Sequence, residues 1–131
     1  MRLPAIILLA GFLAGAVPPA GAEVKPGDAE RGRVVFNQCV VCHSSSPQDV
    51  PNPGPDLRGM VGRPAGSVPG FRYSRALRRS GLRWDESTLD RFLADPQALV
   101  PGNTMPYPGE ADPAARAALV AYLKTLQPAP L

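Results

Sequence analysis

Cys39-Val40-Val41-Cys42-His43 places two thiols three residues apart and an imidazole directly behind the second. Several chemistries compete for that pattern. A structural zinc site needs four nitrogen or sulfur ligands, and the chain has no cysteine or histidine beyond these two thiols and one imidazole. A thioredoxin-like dithiol has its cysteines at the start of a helix that follows a strand. Here a segment with Val34, Val35 and Phe36 on its apolar side runs into Cys39 as a helix, and no strand–helix–strand pattern surrounds it. A disulfide between Cys39 and Cys42 would close a loop of two residues and stabilise little. One reading uses all three side chains at once: both sulfurs reach the vinyl groups of a haem while the imidazole reaches the iron from below. This is the c-type haem attachment pattern.

The surrounding composition fits that reading. Arg2, an apolar run from Leu3 to Val17, Pro18-Pro19 and Ala20-Gly21-Ala22 have the order of a secretory signal peptide over residues 1–22, cut before Glu23. The apolar run is 15 residues long, short of the roughly 20 that a membrane anchor needs. Residues 23–131 then form one domain of 109 residues with a small core, working in an oxidising compartment. Of the 17 prolines, 14 lie in this domain; proline is excluded from helix interiors and central strands, so much of the domain is loop. A small, loop-rich domain needs reinforcement by a disulfide, metal or cofactor. Thirteen basic and 11 acidic side chains remain after residue 22, a balance that gives no electrostatic basis for nucleic-acid binding.

Along the chain, Pro26-Gly27-Asp28 opens the helix that leads into Cys39, with Asp28 as its N-cap. Residues 44–70 are rich in Ser, Pro and Gly, broken by a short turn at Asp56–Met60. A second helix is predicted over Ser74–Ser80 with Gly81 after it, and a third over Asp85–Ala94, stopped by Asp95-Pro96. Residues 100–109 form another Pro/Gly-rich loop, which holds Met105. Asp112 and Pro113 start the last helix, where Leu119, Tyr122, Leu123 and Leu126 share one face. No segment alternates as a strand does, so the fold class is all-α.

Eight motifs carry a resemblance. Gly27-Asp28-Ala29-Glu30-Arg31-Gly32, the Cys-x-x-Cys-His, Gly54-Pro55-Asp56-Leu57, Gly62-Arg63-x-x-Gly66, Gly70-Phe71-x-Tyr73-Ser74, Gly81-Leu82-x-Trp84-Asp85-Glu86, Pro101-Gly102-x-x-Met105 and Ala121-Tyr122-Leu123-Lys124 occur in order. Together the chain resembles the class I soluble cytochromes c, bacterial and mitochondrial. The resemblance implies a small cytochrome c fold, N- and C-terminal helices and long loops around one haem c attached through Cys39 and Cys42. It implies His43 and Met105 as axial iron ligands, with Met60 the only other methionine after residue 22 and better suited to core packing. It also implies that the Pro55 carbonyl orients His43 and that Arg63, Tyr73 and Trp84 meet the haem propionates. Phe92 and Leu77 stand where many relatives carry tyrosine and asparagine, so the distal side is expected to be less polar.

The function implied is outer-sphere, one-electron transfer by a periplasmic carrier that is not an enzyme. Its partners would be redox proteins, whether oxidase, reductase or dehydrogenase, met by a chain that is monomeric in isolation and has no membrane span after signal cleavage. Two alternatives are an electron-accepting haem subunit of a periplasmic dehydrogenase and a five-coordinate haem peroxidase or gas sensor, the last needing an open iron position. Seven arginines and no acid lie strictly between Asp56 and Asp85, a basic stretch suited to docking an acidic partner.

Overall fold

The computed structural model describes Lys25, residues 28–43 and residues 52–128. The expected signal peptide and the first part of the long loop lie outside the described residues. Five helices follow in order: α1 Asp28–Phe36, α2 Arg75–Arg79, α3 Glu86–Ala94, α4 Pro96–Leu99 and α5 Pro113–Thr125. No strand occurs among the described residues; one isolated antiparallel bridge joins Pro64 and Arg83. The fold is the expected small all-α one.

Helix ends follow the local chemistry. Ser74 accepts a hydrogen bond from the Leu77 N–H, Asp85 from Thr88, Asp95 from Ala98 and Asp112 from Ala114, each side chain satisfying a donor that the first turn leaves open. Gly81 follows α2 with φ of 67°, a left-handed residue as the helix stop requires. Asp28 departs from the expected N-cap role. It lies inside the first turn of α1, where its carboxylate accepts from the Lys25 backbone N–H and pairs with Arg31. The expected stop at Asp95-Pro96 is also a start: Asp95 caps α4, and Pro96 takes a first-turn position where its missing N–H costs nothing.

The first and last helices meet where α1 crosses α5. Phe36, 1% exposed, packs its ring 5.1 Å from that of Tyr122. Gly32 faces the Ala118 carbonyl so closely that no side chain fits between them. α3 lies on the other flank of α5, burying Leu89, Phe92 and Leu93 and tied to it by Arg116 Nε to Asp90 at 2.8 Å. Each such buried apolar side chain contributes roughly 1.5–3 kcal/mol. The loops are fastened by backbone bonds: Gly62 N–H to Trp84 C=O, Trp84 N–H to Arg63 C=O, and Ala65 N–H to Leu82 C=O, at 2.8–2.9 Å. These three bonds hold Arg63 and Trp84 side by side.

Candidate functional site

The segment after α1 tightens into turns: Cys39 N–H donates to Phe36 C=O at 2.7 Å, and the Cys42 and His43 N–H groups both donate to Cys39 C=O at 3.1 and 2.8 Å. This coiling sorts the motif by face. Cys39, Cys42 and His43 line an interior cavity, whereas Val40 and Val41 are 49% and 76% exposed. No disulfide joins the two cysteines. Burial, with a smaller contribution from the neighbouring Cys42, pushes the Cys39 thiol up to about 11. A dithiol redox catalyst needs a depressed value to supply thiolate, so the local environment opposes that chemistry.

His43 is fixed from below. Its Nδ1 lies 2.8 Å from the Pro55 carbonyl oxygen; a carbonyl only accepts, so Nδ1 carries the proton and the Nε2 lone pair is left free. Burial holds the imidazole below its ordinary value, partly offset by the Pro55 carbonyl. The neutral ring is the form that ligates a metal. Gly54 makes this approach possible, since a Cβ there would sit 2.7 Å from both Cε1 and Nδ1 of His43 and 2.8 Å from the Cys42 carbonyl oxygen.

The cavity above His43 measures about 450 Å³ and is mostly apolar in lining. Cys39, Cys42, His43, Pro55, Arg63, Tyr73, Trp84 and Met105 all border it, as do Phe92, Leu77 and Met60. Met60 is buried within the core cluster and its N–H closes a turn onto Leu57, while Met105 is half-buried in the loop after α4. Arg63 donates to the Asp56 carbonyl at 3.2 Å. The Tyr73 hydroxyl oxygen accepts from the Val68 N–H at 3.2 Å, which leaves its own proton to donate, and burial holds this phenol above its ordinary value, in the protonated form. The Phe92 ring packs tilted against Trp84, with centroids 4.9 Å apart, so this wall of the cavity is apolar.

Tyr107, Asn103 and Gly54 are site residues that sequence reasoning missed. The Tyr107 hydroxyl is buried with no hydrogen-bond partner in the protein, and it borders the cavity. A buried phenol needs such a partner. Pro106-Tyr107-Pro108, an aromatic clamped between prolines beside Met105, was its sequence signal. A flat apolar group with polar edges meets these conditions: two thiols and a free imidazole nitrogen on one side, an arginine and a phenol for carboxylates, and an orphan hydroxyl. Haem fits the residues present.

Such a domain, all-α with this motif opening on an apolar cavity, is a c-type haem protein of the electron-transfer class. Comparison with known proteins agrees. The family model for cytochrome c matches residues 29–127. A cytochrome c2 of Rhodomicrobium vannielii is 48% identical over 99 residues, 76% of this chain and 79% of that protein, and one of Blastochloris viridis is 41% identical over 112 residues, 86% and 85%. The solved structure of cytochrome cH from Methylobacterium extorquens superposes with a TM-score of 0.70 at 43% identity, covering 76% of this chain and 99% of that one. The chain belongs to the cytochrome c family. It is an electron carrier rather than an enzyme, and holds one haem c through Cys39 and Cys42.

Proposed function

We propose that the chain is exported, loses residues 1–22, and works in the periplasm as the domain 23–131, a one-electron carrier whose iron is held between His43 and Met105. The haem supplies a ferric/ferrous couple that changes charge by one without substrate bonding. The protein's residues position and insulate it. His43 presents Nε2 because Pro55 holds Nδ1. Arg63, Tyr73 and Trp84 line the cavity wall that the 62–65 and 82–84 backbone pairing makes rigid, and they would receive the propionates there. The carrying observation is that a histidine with a fixed tautomer and the loop methionine Met105 border one apolar cavity. His/Met ligation gives a potential suited to handing electrons to an oxidant. No helix among the described residues is long and apolar enough to cross a membrane.

Partners are redox proteins, and we assign their docking partly to charge. Four of the seven arginines bond within the fold: Arg58 pairs with Asp56, and Arg63, Arg78 and Arg83 donate to the carbonyls of Asp56, Tyr73 and Gly62. Five of the seven, Arg72, Arg75, Arg78, Arg79 and Arg83, are exposed, and none of these pairs with a carboxylate among the described residues. Three of them sit on α2, whose first turn holds no acid. Arg75 at the first turn opposes the helix dipole and repels Arg78 and Arg79 three and four residues on, and the group builds a positive field for an acidic partner.

Electronic spectra of the haem-loaded protein test the ligand assignment. Met105→Ala should abolish the sulfur-to-iron charge-transfer band, lower the potential and admit carbon monoxide to the reduced form. Met60→Ala should keep the band and lose ~2–5 kcal/mol of stability. The reverse pattern would refute the assignment.

A further inference from the structure

Among the described residues Asn103 is the one buried polar side chain, 7% exposed, and it uses every hydrogen-bonding group it has. Its Nδ2 donates to the Pro96 carbonyl at 2.8 Å and to the Val100 carbonyl at 2.9 Å. Its Oδ1 accepts from the Met105 N–H at 3.0 Å. The amide orientation is unambiguous, because a flip would set the oxygen against two carbonyls and the NH2 against an N–H donor. The backbone joins in: Asn103 N–H donates to Val100 C=O at 3.1 Å, and the Asn103 carbonyl accepts from Gln97 Nε2 at 2.9 Å. Gln97 Oε1 in turn accepts from the Gly102 N–H at 3.3 Å. The loop is thus sewn onto α4, and α4 is itself capped by Asp95 at the end of α3.

We propose that Asn103, backed by Gln97, is the positioning residue of the Met105 loop, setting how firmly the Met105 sulfur is kept at the iron. This rests on the reading of Met105 as an axial ligand. Leaving the iron requires the Met105 backbone to swing outward. The Asn103 Oδ1 bond resists that movement directly, and the Nδ2 bonds anchor Asn103 to a helix instead of to the moving loop. No other residue type reproduces the pattern at this position: aspartate keeps the acceptor but loses both donors, leucine loses all three bonds, and threonine has a single hydroxyl where two donors and an acceptor are used.

Imidazole, added to the oxidised haem-loaded protein, reads the opening. It binds only when the sulfur has left, so its apparent affinity is the intrinsic affinity scaled by the open fraction. One lost hydrogen bond changes an equilibrium constant by about tenfold. Asn103→Ala should therefore tighten apparent imidazole binding about tenfold or more, and Gln97→Ala, at an exposed position, should do so by a smaller factor. Leu126→Ala, at a core-packed residue that does not border the cavity, serves as a variant of reduced global stability and should leave imidazole affinity unchanged. Equal affinities in Asn103→Ala and Leu126→Ala would overturn the proposal, as would an unmoved Gln97→Ala should Asn103→Ala fail to fold. A charge-transfer band that survives Met105→Ala would instead overturn the ligand reading beneath it.

Discussion

Gly32 lies where α1 crosses α5, and a methyl group added there meets backbone. A Cβ on Gly32 would sit 1.9 Å from the Ala118 carbonyl oxygen, 2.6 Å from its carbon and 2.7 Å from Tyr122 Cβ. Ordinary contact begins at 3.4 Å, so the helices must part by about 1.5 Å along that line. No rotamer change relieves a clash with a carbonyl. A separation of that size forfeits much of the dispersion energy of Phe36 against its α5 neighbours, and overpacking of this kind costs up to about 3 kcal/mol or more. Alanine returns about 1 kcal/mol through its better helix propensity. The clash wins by about 2 kcal/mol, a large part of the ~5–15 kcal/mol that holds a domain folded. Gly32→Ala should therefore lower the thermal midpoint by roughly 8–16 °C and the guanidinium midpoint with an unchanged slope. Far-ultraviolet circular dichroism of the haem-loaded protein measures both, and the thioether links keep the haem on the chain in both states. A midpoint equal to or above that of the native protein would refute the reasoning, because only the propensity gain would then be acting.

The other expectations can be checked on the same material. Electron transfer to an acidic partner should slow steeply as ionic strength rises, and replacing Arg75, Arg78 and Arg79 by Gln should flatten that dependence; stopped-flow rates insensitive to salt would reject arginine docking. At alkaline pH the Met105–iron bond should persist further than in relatives with a lysine in this loop, since Phe92 to Gly109 contains none, and hydroxide should be what replaces it. Electron paramagnetic resonance would show otherwise as a His/amine species that disappears in Lys25→Ala or Lys124→Ala. The Asp85 carboxyl is held below the ordinary carboxylate range by the Thr88 backbone N–H, then by the Thr88 side chain. Its contribution is thus full above that range and lost as pH falls through the folded value. The stability difference between Asp85→Asn and the native protein should be constant at neutral pH and close in strong acid; a gap that widens in acid would contradict this.

What could be read from the sequence was whatever a few adjacent residues decide. Ser74 with Gly81, Asp85 and Asp112-Pro113 marked helix ends because caps and glycine act locally. The same dipeptide at Asp95-Pro96 shows in the sequence only as a stop, since a helix of four residues is too short to show a period. Asp28 reads as an N-cap in the sequence but lies inside the first turn, where the Lys25 N–H and Arg31 take its carboxylate. The Cys39-to-His43 motif was legible for the same local reason. Gly54 under His43, the orphan hydroxyl of Tyr107 and the bonds of Asn103 were not, because each depends on what the folded chain brings close. So does the division of the arginines, where Asp56 decides which two turn inward.

That division bears on how a basic surface would coexist with the proposed axial bond of Met105. A lysine-rich carrier gains its positive field from groups that, once deprotonated, are themselves iron ligands, so every lysine near the methionine loop is also a competitor for the metal. Here the field comes from guanidinium groups, which stay protonated at any pH the fold survives and offer the iron no lone pair. The two lysines are placed elsewhere, Lys25 before α1 and Lys124 paired with Glu86 on α5. The methionine loop is held instead by the neutral amides of Asn103 and Gln97, whose bonds do not titrate. On the proposed function, docking charge and ligand retention are set by separate residues, so adding arginines to α2 or removing them should change partner affinity while the Met105 sulfur keeps its hold.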